Sequence, residues 1–227
     1  MTALVALELA AAAFIGTHLL MSHPLRPGLV KALGERGFAG LYSLISIALL
    51  WAMSHFYGDA VAEAPGALWD LGREGWIVAT VLMWLGAILF VGSLRRNPAF
   101  PNPGNPMTAI GPARGVFAIT RHPMMWSFAI WAVIHAIVFP TLASLTVSAT
   151  ILFLALVGAA GQDRKKARLV GEPWRDWMRR TSFVPFGRGF ASPGGVALIG
   201  GTLLWLAATY AHGALGYRPA GIWALVA

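Results

Sequence analysis

Residues 76–94 read WIVATVLMWLGAILFVGSL, a run without a charged side chain that ends at Arg95 and Arg96. About 20 apolar residues in a helix cross the roughly 30 Å hydrocarbon layer of a bilayer, so this run predicts a membrane-spanning helix. The whole chain has the same character, since 57% of its 227 residues are hydrophobic and 11% are charged. An average soluble domain carries about 25% charged residues, so this composition excludes a soluble globular protein.

Five further windows have similar length and apolar character. They are residues 3–21, 38–57, 123–139, 141–161 and 196–212. Pro140 separates the fourth span from the fifth with no charge between them, which predicts a hairpin turn. The sequence therefore predicts an all-α protein, a polytopic transmembrane helix bundle of about six spans that forms a single domain over residues 1–227.

The basic residues are distributed unevenly over the loops. Of the 17 Lys and Arg, 15 follow the first, third and fifth spans. By the positive-inside rule these loops are cytoplasmic, and both termini lie on the other side of the membrane. The net charge of +8 then favours anionic membrane lipids as partners, and not nucleic acid.

Two loop segments have a distinct composition. Residues 97–114 contain five prolines, which predict an extended linker. Residues 162–190 are strongly basic and carry Trp174, Trp177 and Met178 at helical spacing. That pattern predicts a cytoplasmic amphipathic helix over residues 162–180 that lies on anionic headgroups, and the alternative is a solvated loop.

The absence of cysteine excludes disulfides, iron–sulfur clusters, thiolate zinc sites and covalently attached c-type haem. Common catalytic motifs of soluble enzymes, such as the P-loop and the H-E-x-x-H zinc motif, are also absent. Any metal must therefore be held by His, carboxylate or Met. This leaves the six histidines as the informative residues.

His18 and His135 lie well inside predicted spans, where an unbonded imidazole is costly. His135 shares one helix face with an apolar stripe that suits the wall of a flat cofactor, formed by Met124, Phe128 and Trp131. Without cysteine, the side chains available to ligate haem iron are His, Met and Tyr. The alternative is that each histidine only hydrogen-bonds a neighbouring helix.

The segment Thr120-Arg121-His122-Pro123 is the second candidate site. Pro123 suits the first turn of a helix, which places Arg121 and His122 beside a helix N-terminus that favours anions. Carboxylates, phosphates and haem propionates are anions that such a helix N-terminus can bind. The alternative is that Arg121 and His122 only anchor the span at the headgroups.

These sites belong to a longer set of motifs that resembles the NnrU family of bacterial membrane proteins. The shared residues include His18, Leu33-Gly34-Glu35-Arg36-Gly37-Phe38, Thr120-Arg121-His122-Pro123, His135, Gly161-Gln162-Asp163-Arg164 and Thr181-Ser182-Phe183-Val184-Pro185-Phe186. The likeness is strongest over residues 14–187. It implies an integral protein of the bacterial inner membrane that is linked to denitrification and nitrogen-oxide metabolism.

The same motifs resemble the zeta-carotene isomerases, membrane enzymes that carry haem b and isomerise a cis double bond of a lipophilic substrate. This resemblance implies that His18 and His135 are the axial iron ligands. Arg121 and His122, beside the helix N-terminus at Pro123, are then the candidate residues for binding a haem propionate. At 1.5 Å per residue, however, His18 lies roughly 9 Å from Pro24, whereas His135 lies roughly 18 Å from Pro123. The depth difference leaves His122 open as the alternative partner of His18.

A competing resemblance is to the isoprenylcysteine and phospholipid methyltransferases. It rests on Gly115, Arg121-His122-Pro123, Gly171-Glu172, Trp174 and Val184-Pro185. It implies S-adenosylmethionine bound near Arg121, His122 and Asp163. A third interpretation is a non-enzymatic assembly or transport factor whose histidines are structural.

The distribution of basic residues gives a testable topology. Reporter fusions after Arg36, Arg114 and Arg188 should read cytoplasmic, and a fusion after Asp70 should read external, because Lys and Arg are retained on the cytoplasmic side. Paired reporters that are active on opposite sides of the membrane make this measurement. A cytoplasmic signal after Asp70 would contradict the six-span topology.

Overall fold

The computed structural model describes residues 1–100 and 110–223, and within these ranges the chain forms helices and no β-strand. The helices are α1 (Ala3–Ser22), α2 (Arg26–Glu63), α3 (Gly72–Ser93), α4 (Val116–Ile119), α5 (Pro123–Val138), α6 (Leu142–Leu169), α7 (Glu172–Arg180) and α8 (Gly195–Ala214). Five of them, α1, α2, α3, α6 and α8, are long and apolar enough to cross a membrane, and α5 is a shorter apolar helix. The predicted fold class, a polytopic all-α membrane protein, is confirmed.

The largest difference from the predicted spans is at α2, which begins at Arg26, whereas the predicted span begins at residue 38. Pro27 lies in the first helical turn, where its fixed φ favours helix initiation. Gly34 then has φ 70° and ψ 170°, a conformation that interrupts the helix and produces a kink. A charged helical segment therefore precedes the apolar part of α2.

The predicted hairpin between the fourth and fifth spans is confirmed. The Thr141 amide donates to the Phe139 carbonyl across Pro140 (2.9 Å), which closes the turn between α5 and α6. Of the predicted proline-rich linker, residues 101–109 lie outside the described part of the chain.

The predicted amphipathic helix over residues 162–180 is divided in two. α6 continues to Leu169, and α7 starts after Gly171, whose φ of 76° ends the helical path. Trp174 and Trp177 are 0% and 2% exposed in a core with Phe117, so their indoles pack inside the protein and do not face headgroups. The outer face of α7 keeps the charges, and a hydrogen bond from Arg179 holds the pKa of the Glu172 carboxyl below its ordinary value.

The described residues form two compact units, and each is considered by itself. The first contains residues 1–70 and 135–154. Its helices α1 and α2 are antiparallel, since the Ala3 amide donates to the Glu63 carboxylate (3.0 Å) at one end and Ser22 Oγ lies 3.4 Å from Tyr42 Oη at the other. Leu7, Phe14 and Met53 form part of the core between them, together with side chains of α6.

The second unit contains residues 71–134 and those from 155 onward. α3 and α8 approach closely at Gly201, where an added Cβ would lie 2.5 Å from the Ile88 Cα. Trp84 Nε1 donates to Thr202 Oγ1 (2.8 Å) at the same interface. Small residues that let backbones approach and an interhelical hydrogen bond are typical of membrane helix packing.

This contact predicts that Gly201→Ala destabilises the second unit. A methyl group cannot fit against the Ile88 backbone without moving a helix, and overpacking of this kind costs about 1–3 kcal/mol. Gly213→Ala is the matched control on α8, because nothing lies within 4 Å of an added Cβ there. Thermal unfolding of the purified protein in detergent should show a lower Tm for Gly201→Ala only, and equal values would contradict the close approach of α3 and α8.

Candidate functional site

The ring of His18 is held by its own helix. Its Nδ1 lies 2.7 Å from the Phe14 carbonyl oxygen. Because a carbonyl only accepts hydrogen bonds, Nδ1 carries the hydrogen and donates it, and in the neutral ring Nε2 keeps its lone pair.

Ser46 Oγ is 3.4 Å from Nε2 of His18, but it donates its single hydrogen to the Tyr42 carbonyl at 2.7 Å. The shorter bond takes the hydroxyl hydrogen, so the Nε2 lone pair of His18 has only a long contact with Ser46 Oγ. Histidines that bind metals are usually fixed in this way, with the other ring N–H donated to a carbonyl. His18 thus presents an imidazole nitrogen that can ligate a metal ion.

Aromatic rings flank the imidazole of His18. The Phe14 ring centroid lies 4.1 Å from that of His18, and the Tyr42 centroid lies 5.2 Å away in an edge-on arrangement. His212 makes the same type of bond, to the Ala208 carbonyl (2.7 Å), but it is exposed to solvent or lipid. The hydrogen bond alone therefore does not define a site. The aromatic neighbours distinguish His18.

His135 lies in the same unit as His18, on the last turn of α5. Its carbonyl accepts a hydrogen bond from Ser144 Oγ of α6 (3.3 Å). The Leu68 amide, shortly after α2, donates to the Pro140 carbonyl just beyond α5 (3.0 Å), so the turn that follows α5 meets the segment that follows α2 within this unit.

The interior of this unit also holds an unsatisfied polar group on α6. One turn beyond Ser144 on α6, Ser148 Oγ is buried with no partner among the described residues. An unsatisfied hydroxyl in the interior of this unit is a second polar group that an additional ligand can satisfy.

The second candidate site is a buried ionic network in the other unit. Arg121 Nε and Nη2 each lie 2.8 Å from Asp163 Oδ2, and His122 Nε2 lies 3.0 Å from Oδ1. Trp174 Nε1 also donates to Oδ1, at 3.3 Å. The Asp163 and His122 side chains are 6% and 1% exposed, so the carboxylate interacts with three side chains out of contact with solvent.

The backbone around this network is equally well connected. Thr120 Oγ1 and Trp126 Nε1 both donate to the Phe183 carbonyl (2.6 and 2.7 Å), and the Arg121 amide donates to the Ser182 carbonyl (2.8 Å). The Arg121 guanidinium also lies over the Phe183 ring, 5.3 Å from its centroid. Two motifs that are distant in sequence, residues 120–123 and 181–186, are therefore bound to each other.

The structure brings Arg121, His122 and Asp163 together, as the methyltransferase interpretation expects, but both carboxylate oxygens are already occupied by neighbouring donors. The guanidinium is likewise engaged, because its third nitrogen, Nη1, faces the Thr181 carbonyl at 3.4 Å. A small open pocket adjoins the network and is lined by Met124, Met125 and Gln162. The anion that the sequence predicts beside Arg121 is supplied by the chain itself, as Asp163.

Sequence reasoning missed several partners in both sites. Ser46 and Tyr42, which contact the His18 ring, lie one helical turn apart on α2, and that spacing was the available signal. The bond from Trp174 to Asp163 had no comparable signal, because its partners come from different helices.

The sequence profile described as "NnrU protein" matches residues 6–219, which include nearly the whole described chain. The chain belongs to the NnrU family. The match extends beyond residues 14–187, where the motifs are concentrated, and takes in all of α8.

A curated relative of this NnrU chain is "15-cis-zeta-carotene isomerase, chloroplastic" from Arabidopsis thaliana. The two are 26% identical over 166 residues, which cover 69% of this chain and 42% of the relative. The chain thus spans less than half of the relative's length. No solved structure matches it significantly.

The buried network predicts a large effect of Asp163→Asn. The neutral amide leaves the buried Arg121 charge without a counterion, and breaking such a pair costs about 3–5 kcal/mol. Asp176→Asn is the control, because Asp176 also pairs with an arginine, Arg180 (2.6 Å), but is 46% exposed. It should change the free energy of unfolding by less than about 1 kcal/mol.

Chemical unfolding in detergent, followed by tryptophan fluorescence, measures both variants. Equal stability of Asp163→Asn and Asp176→Asn would show that the buried network does not hold the second unit together.

Proposed function

We propose that the chain is a haem b-binding membrane isomerase that acts on the cis double bond of a lipophilic polyene. The observation that carries the proposal is the Nε2 lone pair of His18, which has only a long contact with Ser46 Oγ (3.4 Å) and is oriented by the bond from Nδ1 to the Phe14 carbonyl. An imidazole fixed in this way is a suitable axial ligand for haem iron.

The residues around His18 fit such a cofactor chemically. Phe14 and Tyr42 offer apolar ring surface to a flat macrocycle. His135 is the proposed second ligand, because it lies in the same unit as His18 and is the residue that the resemblance to the zeta-carotene isomerases implies. When bound, haem supplies a redox-active iron whose potential depends on its axial ligands and on the polarity around it. The chain orients the ligands and provides an apolar environment.

The proposed substrate class follows from two observations. The relative is named for an isomerase of 15-cis-zeta-carotene, a lipophilic polyene. In the present chain, α2 exposes Leu44, Ile47 and Trp51 at 64–69% of their surface on its apolar part. In a membrane such a face meets lipid tails, so a lipophilic substrate has direct access to the helix that carries Tyr42 and Ser46.

The proposal predicts that haem content depends on individual histidines. The purified protein should show a Soret band, and His18→Ala and His135→Ala should each lower the ratio of Soret to protein absorbance at least several-fold, because each removes an axial bond. His212→Ala is the matched control, since His212 makes the same bond to a helix carbonyl but is exposed. It should retain the wild-type ratio.

The possible outcomes separate the parts of the proposal. If the wild type shows no Soret band, the proposed haem is ruled out. If haem is lost from His18→Ala and His122→Ala but not from His135→Ala, the second ligand is His122 and not His135. Haem-loaded protein in vesicles should then convert a 15-cis polyene to its trans isomer, measured by chromatography. If haem is bound and no conversion occurs, the proposed isomerisation is contradicted, whereas the proposed cofactor is not.

A further inference from the structure

A continuous strip of rings connects His18 to the start of α2. From His18 the strip passes to Tyr42 (5.2 Å between centroids), then to Phe38 (5.9 Å), and ends at Arg26, whose guanidinium lies 5.4 Å from the Phe38 centroid. The kink at Gly34 folds the first two turns of α2 so that Arg26 can reach Phe38. These residues are half-buried, and residues 31–37 beside them are exposed, so the strip lies at an open face of the first unit.

The guanidinium of Arg26 still has hydrogens to donate. Only Nη2 is engaged, by the Glu35 carboxylate at 2.8 and 3.1 Å. Within residues 1–100 and 110–223, neither Nε nor Nη1 of Arg26 donates a hydrogen bond. Arg121 differs in this respect, because all three of its nitrogens face an acceptor.

The pair of Arg26 and Glu35 does not close this site. The Glu35 side chain is 51% exposed, and exposed ion pairs of this kind contribute little and exchange readily. Lys31 and Arg36 lie on the same segment, so residues 26–36 keep a net positive charge despite Glu35. A second carboxylate can therefore bind the free edge of the guanidinium, since Arg presents a planar fork that matches carboxylate geometry.

We infer that Arg26 binds a propionate carboxylate of the haem held by His18. The ring strip then spans the distance between the metal ligand, His18, and the carboxylate site at Arg26. The inference rests on the proposed function, because it needs the haem. It assigns carboxylate recognition to Arg26 in the unit of His18. The guanidinium of Arg121, by contrast, is occupied by Asp163.

The test compares haem b with its dimethyl ester, in which both carboxylates are blocked. Each is titrated into the cofactor-depleted full-length protein in detergent, and the Soret change gives the Kd. The wild type should bind the free acid about ten-fold more tightly than the ester, as expected for one charge-assisted contact. Arg26→Gln should weaken binding of the free acid about ten-fold, leave the ester unchanged, and so abolish the preference.

Two further variants complete the design. Arg26→Lys keeps the charge without the fork and should retain an intermediate preference. Arg36→Gln removes the same charge from the same segment and should keep the full preference. Unchanged ester affinity shows in each case that the variant is folded.

The two hypotheses fail in different ways. If Arg26→Gln keeps the wild-type preference for the free acid, the inference is wrong although haem binds. If Arg36→Gln loses as much affinity for the free acid as Arg26→Gln does, the effect comes from the general positive charge of the segment, and the inference is also wrong. If the wild type shows no Soret change with either compound, the proposed function itself is removed, and the inference with it.

Discussion

The carboxylate of Asp163 is the interaction on which the second unit depends. It is buried near the end of α6, and it accepts hydrogen bonds from Arg121, His122 and Trp174. A buried carboxylate is costly unless it is paired and hydrogen-bonded, and here a guanidinium and two ring N–H groups meet that requirement. Because these donors come from the start of α5 and from α7, one side chain fixes three helices relative to each other.

This arrangement explains why residues 120–123 and 181–186 occur together in one chain. The backbone of Phe183 accepts from both Thr120 and Trp126, so the second motif is bound along the first. The polar residues of both motifs thereby have partners without water, as buried polar groups require. Arg121 and His122 are well suited to this structural task, and the metal ligand of the proposed function is a different residue, His18.

The sequence predicted the membrane spans well, because a bilayer imposes length and apolarity on each helix regardless of its neighbours. It did not predict the start of α2, because Arg26 and Lys31 argue against a span and only Pro27 and Gly34 mark the kinked segment. The prediction that Trp174 faces anionic headgroups was also wrong, because its indole is buried inside the protein. An amphipathic pattern shows which face of a helix is apolar, but not whether protein or lipid covers that face. Contacts such as that of Asp163 with Arg121 join residues 42 apart and leave no local pattern.

The bond from His18 to the Phe14 carbonyl lies entirely within α1. The orientation of the ring is therefore set when that helix forms, and it does not wait for another helix or for a ligand. The entropy lost in fixing the imidazole belongs to folding. A metal bound by His18, as the proposed function requires, would therefore meet a preorganised nitrogen and lose less free energy on association. Its capture would then depend on access to the ring and not on rotation of the ligand.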